Sequence, residues 1–386
     1  MNFSALWALD PSVAYLNHGS FGACPSAVLA AQSELRLQME REPVDFLSRD
    51  LQGRLDAARS DLAGFVGAYP EDLAFVPNAT AGVNAVLRSL VFAPGDELLL
   101  TNHTYAACRK TVDFVVKGSG ARVAVAELPF PCHDAQDVVD RVMRCVSPRT
   151  RLALLDHVTS PTALILPIAH LVAELHARNV DTLVDGAHAP GMVPLGLTAL
   201  GAAYYTGNAH KWLCAPKGAA FLHVRRDRQA PLHPNIISHG YTGGFHAEFD
   251  WTGTFDPTAW LCIPAARRYL QSLLPGGWPE VMAVNHALTI EARAVLCESL
   301  DIAPPCPASM IGSMASLPLP TAAADAPAFG LDAAGLHDWF RARGVETWLY
   351  SHPVPLLRLS AQLYNNLDQF RQLAALLREA LRGDRR

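Results

Sequence analysis

The sequence predicts an α/β protein with a mostly parallel central sheet sandwiched by helices and a smaller C-terminal α+β domain. Three observations predict it. Short apolar runs alternate with helix-periodic segments through the first 224 residues, and such alternation builds a parallel sheet. Runs such as Leu152-Ala153-Leu154-Leu155 are apolar throughout, as strands covered by helices on both faces must be. After Val224 the alternation stops, and helices mix with short strands.

Residues 1–25 read as an irregular segment packing on the active site, because Tyr15-Leu16-Asn17-His18-Gly19-Ser20 carries turn residues. Helical periodicity marks Ala27–Glu40 and Gln52–Val66. Leu73–Val76 leads into the turn Pro77-Asn78-Ala79, and a helix runs from near Thr80 to about Leu90, capped by Thr80 or Asn78. Then come strand Glu97–Thr101, helix Arg109–Val116, strand Ala121–Leu128, helix Ala135–Val146 and strand Arg151–Val158. Helix Pro167–Arg178 begins on a proline, and strands Val180–Asp185, Ala202–Thr206 and Gly218–Val224 follow. Residues 229–260 lack periodicity. Helices are expected at Pro264–Leu274 and Pro279–Ser299, then a Pro/Ala-rich stretch at 303–328 with Ala322–Ala324 in a loop. Helix Ala333–Arg343, strands Val345–Leu349 and Arg358–Ser360, and helix Asn366–Leu381 complete the chain. The large domain is placed at 26–264 and the small domain at 265–386.

Half of the residues are hydrophobic, 17% are charged, and the net charge is −5. That composition suits a well-cored globule and favours neither nucleic acid nor an anionic membrane. The basic tail Arg382–Arg386 reads as solvated. Met1–Ser12 lacks a basic stretch followed by an apolar core, so no signal peptide is expected. The most apolar helix is interrupted by His170, Glu174 and His176, so no membrane span is expected. Eight cysteines without a Cys-x-x-Cys pair read as reduced thiols of a cytoplasmic protein.

The usual nucleotide and hydrolase signatures are missing. No Walker loop occurs, Gly118-Ser119-Gly120 precedes a strand instead of following one, and no Gly-x-Ser-x-Gly elbow is present. The fifteen histidines form no zinc set, so no metal is expected. What remains lies between Val180 and Leu222. Asp185 ends a strand, His188 follows, and Lys211 sits within Gly207-Asn208-Ala209-His210-Lys211-Trp212. A buried lysine downstream of a strand-end carboxylate suits pyridoxal 5'-phosphate (PLP). The amine condenses with the cofactor aldehyde, and the carboxylate keeps the ring nitrogen protonated so that the ring accepts electrons. Taken alone, Asp185 would read as a helix cap. With Lys211 downstream it reads as the ring partner, its pKa depressed by the ion pair.

Tyr15–Gly22, Asp156-His157-Val158-Thr159-Ser160-Pro161, Val184–His188, Thr206–Trp212 and Trp251-Thr252-Gly253-Thr254 resemble the class V aminotransferase family of PLP enzymes. Within it, the chain is most similar to the isopenicillin N epimerase-like branch, beside cysteine desulfurases and C–S lyases. The resemblance runs from about Tyr15 to Asn366 and implies the PLP-dependent transferase fold (fold type I). It makes Lys211 the Schiff-base lysine and Cα base. It assigns His188 to the cofactor phenolate, and Asn78, Ala79 and Thr80 to the phosphate at a helix N-terminus, joined by Asn208 and His210. It asks for an aromatic on the ring, for which His103 is preferred and Tyr105 is the second candidate. It implies that Thr254 reaches the phosphate of the other subunit of a homodimer, so that active sites are shared. Arg358 would grip a substrate α-carboxylate, with Asn17 and His157 also on the substrate side and Thr159 and Ser160 lining the pocket.

The implied substrate is an amino acid or an amino-acid-containing peptide, and the expected reaction is epimerisation. The alternatives are a C–S β-lyase and an aminotransferase. Tyr105, His103 and Tyr241 are candidates for the second acid–base. No cysteine lies between Val345 and Arg386, so a persulfide route through a C-terminal cysteine is disfavoured.

Overall fold

The N-terminal segment carries more order than its turn residues imply. In the computed structural model, which describes residues 3–322, 326–327, 333–351 and 354–381, β1 (Ala14–Tyr15) pairs in parallel with Val345–Glu346. A single turn of helix, His18–Phe21, follows. The start of the chain is thereby stitched to its C-terminal part.

The central sheet contains β2 (Leu73–Val76), β3 (Glu97–Thr101), β4 (Arg122–Ala126), β5 (Thr150–Asp156), β6 (Asp181–Asp185), β7 (Tyr204–Asn208) and β8 (Ala220–Val224), in the order β2-β8-β7-β6-β5-β3-β4. Five adjacent strands, β7 through β4, are parallel, and β8 runs against both β2 and β7. The mostly parallel sheet is therefore present, with one reversed strand. The apolar runs divide by period two. Leu99, Ala153, Leu155, Val184, Tyr205 and Phe221 pack into one apolar layer. Leu98, Leu100, Leu152, Leu154, Leu183 and Leu222 pack into the other. Burying both faces leaves few solvent-facing positions, which is why these strands do not alternate in sequence.

Helices Ser26–Arg41, Leu51–Val66, Ala79–Ser89, Ala106–Ser119, Ala135–Arg144 and Ile168–His176 match the expected ones to within three residues at each end. Asn78 caps Ala79–Ser89, its side-chain oxygen accepting from the Ala81 N–H at 2.8 Å. Two short helices, Phe245–Asp250 and Thr258–Leu261, lie in the segment that shows no periodicity. They span about one turn each, too short to reveal a 3.6-residue pattern.

The C-terminal part departs further from expectation. Met314–Pro318 forms β9 inside the Pro/Ala-rich stretch, and it pairs antiparallel with Leu356–Ser360. That strand in turn pairs with Trp348–Tyr350. The expected strand Val345–Leu349 is thus two strands in different sheets, bent at Thr347. Helices Gly277–Leu300 and Leu367–Leu381 pack on each other, and the former also covers β9. The expected boundary at residue 264 falls inside helix Ile263–Ser272. The Ala323–Ala324 part of the expected loop and the tail 382–386 lie outside the described residues. Among the described residues no helix is long and apolar enough to cross a membrane.

Candidate active site

Strands β5, β6 and β7 end on the same edge of the sheet, and a cleft of ≈ 280 Å³ opens there. Ligands gather at this edge in α/β sheets because the loops diverge and helix N-termini converge. The cleft is lined by Asn78, Ala79 and Thr80 at one end, Asp156 and Asp185 on the floor, and His188, Asn208, His210 and Lys211 along one wall. Ser20, Phe21, Tyr105 and Ser160 close it.

Lys211 follows β7 in a tight loop. The Ala209 and His210 N–H groups both donate to the Ala219 carbonyl, at 2.9 and 3.0 Å. The N-terminal segment clamps this loop from the other side. His18 bonds the Lys211 carbonyl at 2.9 Å through Nε2 and the Tyr364 hydroxyl at 2.8 Å through Nδ1. Gly22, at φ +71°, lies so close that a Cβ there would stand 2.9 Å from Lys211 Cα. Burial lowers the Lys211 amine to about 7, aided by the Arg358 charge and opposed by Asp185. The amine is therefore a competent nucleophile and base near neutrality.

His188 sits between two partners. The Trp212 indole N–H donates to Nδ1 at 3.4 Å, and Nε2 lies 3.1 Å from Lys211 Nζ. Burial and the Lys211 charge hold the imidazole well below its ordinary pKa. A neutral ring that accepts at Nδ1 carries its proton on Nε2, so Trp212 aims an N–H into the cleft.

The floor is acidic. Asp185 accepts from the Ala187 N–H at 3.0 Å and from the Cys108 thiol at 3.2 Å. Its pKa is raised, because burial outweighs these donors and the Lys211 charge. This is opposite to the direction expected with a pyridinium beside it, since no cation among the described residues touches the carboxylate. Asp156 is the in-register neighbour of Asp185 on β5. Its residue type alone does not single it out in sequence, although period two along Asp156, Val158 and Ser160 places all three on the cleft.

At the other end, Asn208 accepts from the Ala79 N–H at 2.8 Å, which leaves the Asn208 amide NH₂ to serve a ligand. His210 is anchored through Nδ1 to the Ala219 carbonyl at 3.0 Å. Thr80 lines the same corner. The capped helix, the amide and the imidazole make a donor-rich end suited to a phosphate.

Arg358 is 1% exposed. Its guanidinium donates to the Ser160 carbonyl at 2.8 Å, the Ser160 hydroxyl at 3.1 Å, the Tyr350 hydroxyl at 2.8 Å and the Ser20 hydroxyl at 2.8 Å. Asn17 Oδ1 is 3.5 Å away. Each of these partners is neutral, and Nε has none among the described residues. A buried cation without a carboxylate awaits an anion. Ser20 and Ser160 line the cleft and bond the guanidinium, whereas Arg358 and Asn17 are not among the lining residues. Tyr350 and Ser20 give no signal in the sequence, because only the fold brings them to Arg358.

Several of the expected site residues lie off this cleft. His103 is buried, with both ring nitrogens engaged by Thr162 at 2.8 Å and the Leu128 carbonyl at 3.2 Å. It does not line the cleft; Tyr105, two residues on, does. His157 points to the opposite face of the sheet and bonds the Tyr205 hydroxyl at 2.8 Å, because alternation past Asp156 turns it away. Tyr241 is exposed beside His233 and off this cleft. Thr254 is also exposed and off this cleft.

The sequence matches the family model described as aminotransferase class-V over residues 15–303. The chain belongs to the class-V aminotransferase family. It is 37% identical to an isopenicillin N epimerase of Amycolatopsis lactamdurans, covering 96% of both chains. It is 31% identical to a probable chloroplastic L-cysteine desulfhydrase of Arabidopsis thaliana, covering 97% of this chain and 83% of that one. Among solved structures, a cystine C–S lyase complexed with cysteine persulfide superposes with a TM-score of 0.80. It is 21% identical over 96% of this chain and 98% of that one, a likeness that shows the fold. The class-V assignment makes the chain a PLP-dependent enzyme of this fold. The site fits the group: an enclosed amine, a floor carboxylate and a donor-rich end lie along one cleft.

Proposed function

We propose that the protein acts at Cα of an amino acid or amino-acid-containing peptide, and that its reaction is an epimerisation like that named for its Amycolatopsis relative. Arg358 supports the amino-acid part of this reading, because a fully buried guanidinium with only neutral partners is matched by a substrate α-carboxylate, and the likeness to the Amycolatopsis relative supports epimerisation. Lys211 would bear the cofactor, Asp185 would face the ring nitrogen, and His188 would offer its Nε2–H to the phenolate oxygen. Thr80, Asn208, His210 and the N-terminus of helix Ala79–Ser89 would hold the phosphate. When bound, the pyridoxal ring supplies the electron sink that makes the Cα proton removable.

Lys211, its amine lowered to about 7 by burial, takes the proton on one face. Tyr105 is the remaining candidate for the other face, since His103 is locked away and Tyr241 lies outside the cleft. Its phenol is held above the usual range by burial, so it meets the substrate as a proton donor. As the aromatic on the cleft wall it also replaces His103 as the group proposed to stack on the ring. Thr254, away from its own cleft, is proposed to complete the site of the second subunit in a cytoplasmic homodimer.

A second reading, a C–S β-lyase, is favoured by the desulfhydrase relative. The absence of cysteine from residues 345–386 supports release of sulfur without a protein persulfide in that case. Chiral chromatography after incubation of the PLP-loaded enzyme with L-amino acids and an aminoadipyl peptide tests the proposal. Accumulation of the opposite configuration is expected, and pyruvate from cysteine or its conjugates without inversion overturns it.

A further inference from the structure

The floor of the cleft holds a second carboxyl group to which the reaction above gives no role. Asp156 and Asp185 end adjacent parallel strands as register partners, so their side chains project from the same face. Asp156 is 2% exposed and Asp185 4%. Asp156 Oδ1 receives one long bond, from the Tyr105 N–H at 3.4 Å. Its Oδ2 is sealed from water and has no hydrogen-bond partner among the described residues. An ionised carboxylate normally gathers several donors when buried. Asp185 has two, the Cys108 thiol and the Ala187 N–H; Asp156 has hardly one.

We propose that Asp156 is a neutral acid that shares one proton with Asp185, so that the two work as a single-charge carboxyl pair beneath the ring nitrogen of the cofactor. Two like charges on neighbouring strand ends repel strongly in an enclosed site, and the less solvated member keeps the proton. The directions of titration agree: Asp156 is raised well above the carboxylate range by burial and then by Asp185. The titratable groups that act on the pair are Tyr105, Cys108, Tyr205 and Lys211. Of these, Lys211 alone carries a positive charge, and its depressed pKa limits that charge above neutrality.

The strength of the ring partner follows from this sharing. One negative charge serves the ring nitrogen, the Cys108 thiol bonds it, and a protonated Asp156 adds no second charge beside it. Asp156 is thus a positioning residue that acts through Asp185. This rests on the proposed placement of Asp185 against the ring nitrogen, and the apo-protein measurement below reads the pair without that placement.

The test is carboxyl ¹³C NMR of apo-protein labelled at aspartate, titrated across pH, with D156N and D185N supplying assignments. One carboxyl of the pair is expected to stay protonated at neutral pH, and its midpoint to fall in D185N, where the repelling charge is gone. Two ionised carboxylates at neutral pH, or an Asp156 signal indifferent to D185N, overturn the pair. In the PLP-loaded protein, D156N replaces one neutral group by another. The pH midpoint of the cofactor absorption is then expected to stay within about 0.3 unit and cofactor affinity within about threefold, whereas a lost anion would move them by about a unit or tenfold and overturn the neutral assignment. D185N, which removes the charge, is expected to weaken cofactor binding by about a hundredfold. If it does not, the placement at the ring nitrogen fails while the apo-protein titration still decides the pair.

Discussion

Tyr105 and Arg358 have the most specific proposed roles at the scale of single residues. Tyr105→Phe keeps an aromatic wall and removes the proton. The variant is expected to bind cofactor normally and to exchange the α-proton with solvent, while inversion slows by about 10²-fold or more. Unchanged inversion in chiral product analysis would remove Tyr105 from the second face. Arg358→Lys keeps charge but loses the planar fork. Steady-state kinetics are expected to show KM for amino acids up by about 30-fold or more, with little change in the binding of an amine lacking the carboxylate. Equal losses for both ligands would make Arg358 structural. Lys211 gives a pH signature. Its amine titrates at about 7 when folded, against an ordinary value of 10.5. Between those values the unfolded apo-protein binds the extra proton, so this residue makes stability rise with pH across that window, by at most about 1.4 kcal/mol per unit. Below pH 7 both states are protonated and the contribution is flat. Lys211→Met is expected to remove that slope in thermal denaturation of the apo-protein and to abolish turnover.

At the scale of elements, the loop that bears Lys211 depends on the N-terminal turn packed against it. Gly22→Ala would press a methyl onto the His210 carbonyl at a positive φ and is expected to weaken cofactor binding by about tenfold or more by shifting the loop. Gly53 is the control. It lies in helix Leu51–Val66, and a methyl added there would meet nothing within 4 Å. Gly53→Ala is therefore expected to stabilise by about 0.5–1 kcal/mol, measured by denaturant titration. The helices and parallel strands are legible in the sequence because burial imposes a period on them. Lys211, Asp185, His188 and Arg358 are legible because their residue types stand out in recurrent motifs. β9 escapes because its strand lies in a stretch dense with proline and alanine, and its pairing with Leu356–Ser360 is a long-range contact. His157 and His103 mislead for a different reason: residue type says nothing of the side of the strand or of the local hydrogen bonds that occupy the ring.

For the whole molecule, the proposed role of Thr254 requires a dimer in which it serves the opposite site. Sedimentation should find a dimer. Mixing inactive Lys211→Ala chains with Thr254→Ala chains should create hybrids holding one intact site, with activity above that of the Thr254→Ala dimer. No gain on mixing would return Thr254 to an ordinary turn. The roles proposed for residue, loop and dimer converge on chemistry at Cα with Arg358 holding the carboxylate. Proton NMR of the PLP-loaded enzyme in deuterated water, with L-amino acids, cysteine conjugates and an aminoadipyl peptide, tests that chemistry most directly. The α-proton is expected to exchange for deuterium on an intact skeleton, and the opposite configuration to appear. Pyruvate with a departing sulfur species, and no inverted product, would contradict epimerisation at Cα.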